Sequence, residues 1–223
     1  MVQPEAVKDD VLTETEVELA VQGLKGGIAG GLSGIIVEDL KEWRKEDKWE
    51  KDPEGRRCNL VVRLVQVMFR DGTVTEEIAW ENMVLIQKGK GEYRGIGLVE
   101  VLWKVCSVVV SCRLEKSVVL HDTLHGFREG RGMGKTTMEA NMHQKLEGIA
   151  HEPLFQVFLY FQKAYDSLDR ERCLELLRGY GMGPNLAQLL ENYWRRQRIV
   201  PEVGKYLGTA VGEGRGVTQG NPA

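Results

Sequence analysis

The run LFQVFLYF, residues 154–161, constrains this chain more than any other stretch. It carries no charge, and only Gln156 is an amide among aliphatic and aromatic side chains. A short apolar run of this kind predicts a strand buried on both faces. It is far too short to span a bilayer, which takes about 20 apolar residues. It leads into QKAYDSLD, a polar turn with carboxylates, and then into RERCLELLRGYG, which predicts a helix closed by glycines. Strand, acidic turn and helix together often present a metal site. Yet the residue at the exposed end of this strand is Tyr160, not an acid.

The rest of the chain alternates between helical and extended patterns. LTETEVELAVQGLKGG predicts a helix, with Thr13 and Glu16 at capping-box spacing and Gly26-Gly27 at its end. A glycine-rich loop, GGIAGGLSGI, follows. EDLKEWRKEDKWEKDPEG predicts a charged helix that stops near Pro53-Glu54-Gly55. In RRCNLVVRLVQVMFRDG, residues Leu60, Leu64, Val65, Met68 and Phe69 recur at helical spacing before Gly72. AWENMVLIQKGKGEYRGIGL predicts a strand, a basic loop and a return strand, and VEVLWKVCSVVVSCRLEK an apolar helix. HDTLHGFREGRGMG reads as a polar turn and KTTMEANMHQKLEGI as a helix. Pro184 suits the first position of the helix PNLAQLLENYWRRQ. RIVPEVGKYLGTAVGEGRGV alternates like a hairpin. This order of elements predicts a mixed α+β fold.

Charge is distributed unevenly. Residues 1–57 carry 9 Lys/Arg against 14 Asp/Glu, a net of −5. Residues 86–135 carry 9 against 5 and residues 193–218 carry 5 against 2, nets of +4 and +3. Two basic zones in an acidic chain can form a phosphate-facing surface, although each can equally be a solvated face. The four cysteines (Cys58, Cys106, Cys112 and Cys173) form no CxxC pair and lie in apolar or helical contexts. With no apolar leader at the acidic N-terminus, they predict reduced thiols in an intracellular protein of cytoplasm or nucleus, not secreted and not in a membrane.

Two local motifs suggest chemistry and lack its requirements. GMGKTT invites a phosphate-loop reading and an unrelated nucleotide-binding protein. The motif needs Gly five residues before Gly134, and Glu129 stands there, so the loop length is wrong for a chain of N–H groups around phosphate. HDTLH spaces His121 and His125 like zinc ligands, but Asp122 replaces the catalytic Glu and Gly126 ends any helix.

A third constellation is spread along the chain. VLIQKGKGEYRGIGLVEVLWKVCSVVVSCRL, HGFREGRG, FLYFQKAYDSLDRERCLELLRGYGM and GRGVTQGNPA occur in this order. Together they resemble the fingers and palm of reverse transcriptases, most closely those of non-LTR retrotransposons and group II introns. LKGGIAGGLSGIIVEDLK resembles the segment that precedes the fingers in such elements. The resemblance covers residues 12 to 223. It implies an N-terminal helical extension over 1–57, a fingers-like region over 58–150 and a partial palm over 151–223. It implies that Lys88 or Lys90, and Arg94, clamp the triphosphate of a dNTP on the fingers hairpin. Arg suits such bidentate contact. Tyr165 would be the sugar-selecting gate, Asp166 a structural bond of the turn, and Gln219-Gly220 the pair against the nucleotide. Arg128 and Arg131 would meet template or primer phosphates. The implied partners are an RNA template and a DNA primer, and the implied cofactor is Mg²⁺.

The chain departs from that family at the chemistry itself. The family aligns its reaction with two Mg²⁺ ions about 3.5–4 Å apart, held by carboxylates. Its first metal-binding Asp lies five residues before the gate aromatic, and in this chain that residue is Tyr160. A phenol with a pKa of about 10 is neutral at pH 7 and cannot bridge two cations. The family's second acidic motif, aromatic-x-Asp-Asp, would follow residue 223. Gln87 and Gly95 stand where relatives commonly carry Pro, and Asn221 where they often carry Asp. The expectation is a reverse-transcriptase-like fragment that is catalytically inactive and does not hold Mg²⁺, or a remnant that only binds nucleic acid.

Overall fold

The computed structural model describes residues 6–43, 50–51, 57–126, 128, 130–151, 153–212 and 214–218, with residues 50–51 and 57–58 described by their backbone alone. The chain is mixed α+β and divides into two units, Met1–Val118 with Lys163–Ala223, and Val119–Gln162. Among the described residues no helix is long and apolar enough to cross a membrane.

In the first unit, helices α1 (Glu14–Gly23), α3 (Leu60–Asp71), α5 (Val101–Ser117) and α8 (Pro184–Arg196) surround one apolar core. Their starts follow from local chemistry. Thr13 and Glu16 form the full capping box of α1, and Asn59 accepts from the N–H groups of Val61 and Val62 at the head of α3. Gly72 closes α3 with φ 56°, a left-handed cap that glycine adopts without strain. The glycine at the head of α8 has no side chain to cap with. Asp9 does so instead, accepting from Asn185 N at 3.0 Å and Leu186 N at 2.8 Å.

The N-terminal segment is also tied to α5. Arg113, buried inside α5, grips both carboxylate oxygens of Glu16 at 2.8 Å and donates to the carbonyls of Lys8 and Asp10. Leu12, fully buried, fills the core beneath this grip. The glycine-rich loop packs in the same manner. Ser33 donates through N and Oγ to the buried Glu100, and a Cβ on Gly31 would collide with that carboxylate.

One five-stranded sheet is built on β3 (Trp80–Gly89). β4 (Glu92–Leu98) pairs with it antiparallel across a tight turn, and β5 (Arg198–Val203) pairs with it parallel on the other side. β6 (Tyr206–Leu207) and β7 (Val211–Gly212) both pair antiparallel with β5. The root of the β3–β4 hairpin is packed, with Glu81, Gly97 and Val99 buried, and its outer half from Leu85 to Arg94 is exposed. Three short elements complete the unit, α2 (Val37–Trp43), α4 (Glu76–Ala79) and α7 (Arg170–Gly179). The charged helix expected to run to Pro53 differs in its last part. Glu50–Lys51 is a strand, β1, paired with β2 (Arg57–Cys58).

The second unit holds α6 (Met133–Ala150), a helix with no buried residue. After it, residues 153–161 form no strand, contrary to expectation. Phe155, Phe158 and Tyr160 are 87%, 88% and 90% exposed. The reason is one of pairing. An isolated strand has nothing to bond its N–H and C=O groups, and among the described residues no other strand pairs with this run.

A candidate nucleic-acid interface

The described structure joins two of the motif segments. The turn 163–169 carries Tyr165 and Asp166. It is closed by Ser167 N donating to Lys163 O at 3.0 Å, and by Asp169, which caps α7 through Arg172 N at 3.1 Å. A strap, residues 214–218, lies against it. Gly216 N donates to Leu168 O at 2.8 Å and Val217 N to Tyr165 O at 2.9 Å. Gly216 has φ 81°, and a Cβ there would lie 2.9 Å from Asp166 O and 3.0 Å from Tyr165 O. Only glycine permits that approach. Tyr165 is 38% exposed beside this junction.

The strap also reaches the root of the hairpin. Thr218 donates a short hydrogen bond to Glu81 and accepts from Gln197 Nε2 at 2.9 Å. Glu81 further accepts from Tyr193 Oη and Gln197 Nε2, both at 2.5 Å. Gly97 on β4 leaves the notch for Thr218, whose methyl would collide with any Cβ there. Arg170 closes the ring, donating to Gly216 O at 2.7 Å, Trp194 O at 3.1 Å and Gln197 Oε1 at 2.5 Å. Burial pushes the Glu81 carboxyl above its ordinary range, against the three donors and Arg170. Burial, and then Glu81 itself, holds the Tyr193 phenol well above 10. Beside the ring, an open groove of about 550 Å³ runs between α7, α8 and Gly214, edged by Arg178, Glu191 and Arg195.

The expected site residues fall in different places. Lys88, Lys90 and Arg94 are exposed on the outer hairpin, where Arg94 stands opposite Ile86, and none has a partner among the described residues. Tyr93, 61% exposed, lies between them. Arg128 and Arg131 belong to the second unit and are engaged internally. Arg128 donates to the carbonyls of His121 and Leu124, and Arg131 binds Asp122. Gln219 and Gly220 fall outside the described residues. Asp166 is exposed, and its carboxylate makes no hydrogen bond to a described residue, so other groups hold the turn.

The two local motifs resolve simply. GMGKTT is the start of α6, preceded by a turn and not by a strand. His125 bonds Glu139 at 2.7 Å and His121 bonds Thr123 at 2.9 Å, without a shared centre. Tyr160 lies in the exposed run, and the Asp169 carboxylate caps α7. Among the described residues, no three His, Cys, Asp or Glu side chains converge.

Sequence reasoning missed Glu81, Arg170 and Gln197. One signal was available for Arg170. A cation in the first turn of a helix opposes the helix dipole, so Arg170 at the head of α7 needed another reason to be there. No family model matches this chain, and no curated protein matches it either.

Proposed function

We propose that this chain is a reverse-transcriptase-like domain, with the fingers and part of the palm of a right-hand polymerase, that binds nucleic acid without copying it. The observation that carries the reading is the junction of turn and strap. KAYD and GRGVT are about 50 residues apart in sequence, and they close on each other through Gly216 against the Tyr165–Asp166 backbone. In the resembled family these segments share one nucleotide site. The hairpin supports the same reading with three cations that have no partner among the described residues and an exposed tyrosine, which suit phosphates and an unpaired base. Tyr160 is the reason that chemistry is left out. The family's reaction needs an acid at this position, and a neutral phenol neither bridges cations nor moves a phosphoryl group.

The test has two arms. Purified chain is given an RNA template with an annealed DNA primer, dNTPs and Mg²⁺ or Mn²⁺. Primer extension sinks the claim of inactivity. In the second arm the same duplex is titrated by fluorescence anisotropy at rising salt. Binding that weakens steeply is expected, and no binding at low salt removes the reading.

A further inference from the structure

The ring around Glu81 is more elaborate than a strap of five residues needs for packing. Four elements contribute to it: Glu81 from β3, Gly97 from β4, Arg170 from α7, and Gln197 from the junction of α8 and β5. Their partners are far apart in sequence, with Thr218 137 residues beyond Glu81. Glycine stands at both points where a side chain would push the strap away, Gly97 and Gly216. Glu81 is 1% exposed, and each of its three donors would lose its acceptor if the side chain were removed.

We propose that Glu81 is a positioning residue, whose buried side chain latches the strap through Thr218 and so holds Gly216 and Val217 against the turn that carries Tyr165. This rests on the reading above, in which that turn lines a nucleotide site. Glutamine is close to isosteric with Glu81. It keeps an oxygen for Tyr193 and Gln197, and an amide for Thr218.

Amide hydrogen exchange on the free chain tests this, since Gly216 N and Val217 N are bonded only while the strap is seated. Thr218→Val keeps the shape that fills the Gly97 notch and removes the hydroxyl. It is expected to lower the protection factors of Gly216 and Val217 at least fivefold, with Val65 and Val105 in the core unchanged. Glu81→Ala is expected to do the same, and should it unfold, Thr218→Val decides. Glu81→Gln, the conservative replacement, is expected to keep most of the protection that Glu81→Ala loses. Wild-type protection in Thr218→Val, or a loss in Glu81→Gln as large as in Glu81→Ala, overturns the proposal. A wild-type chain that shows the latch but binds no primer–template duplex overturns the reading beneath it and leaves the latch standing.

Discussion

At the residue scale, Arg113 has the largest structural role. Its guanidinium is 3% exposed and satisfies a carboxylate and two backbone carbonyls at once. Arg113→Ala removes a buried cation from acceptors that are themselves partly or fully exposed, and a loss of about 1.5–3 kcal/mol is expected in urea unfolding. The partner predicts a pH dependence. The Arg113 hydrogen bond is the main reason the Glu16 carboxyl falls from its ordinary 4.5 to about 2, against a smaller opposing effect of burial. A depressed folded pKa means that this stabilisation is complete above pH 4.5 and is lost as pH falls through about 2. Glu16 is 24% exposed, so solvent screening reduces the effect to about 1–2 kcal/mol. Unfolding curves between pH 5 and pH 2 should show this slope in the wild type, and a shallower one in Arg113→Ala.

At the scale of elements, the hairpin and the apolar run make opposite demands on substitution. Gly97→Ala forces a methyl into Thr218 and Glu81, and overpacking of this kind costs about 1–3 kcal/mol. The expected signature is loss of amide protection in the strap before any loss in α3. The run 153–161 has no packing to lose. Phe158→Lys, at a position 88% exposed, should change unfolding free energy by less than about 0.5 kcal/mol. It should also reduce self-association in light scattering, because a charge interrupts an uncharged segment of high β propensity. Unchanged association in that variant would show that another surface drives it. These two elements also mark what could be read from the sequence. The β3–β4 hairpin and helices α3, α5 and α8 were legible because period and end signals are local. The run at 154–161 has an equally strong local pattern, but a strand exists only through its partner. Glu81 was illegible for a related reason. A single acid in an alternating strand resembles a solvent-facing position, and its three partners lie 112 to 137 residues away.

For the whole molecule, the proposed function makes a measurable electrostatic claim. The chain is acidic overall, so its affinity for a duplex must come from local cations. If Lys88, Lys90 and Arg94 each neutralise one phosphate, replacing all three with alanine should lower the magnitude of the log–log salt slope by about 2–3. An unchanged slope would relocate the contact to another face. Thermal stability should stay near the wild-type value, because none of the three has a partner among the described residues.

The attachment of residues 6–16 carries a consequence for how the chain is made. Lys8, Asp10 and Glu16 wait for Arg113, about 100 positions later, and Asp9 waits for the helix that starts at Pro184. A ribosome delivers residues in order, at about 5–20 per second. Residues 6–16 are therefore fully secured only after residue 184 has emerged. This unit closes only once α8 has been made. A nascent chain arrested before residue 184 should hold its N-terminal segment open to a holdase or a protease, whereas the released chain should not.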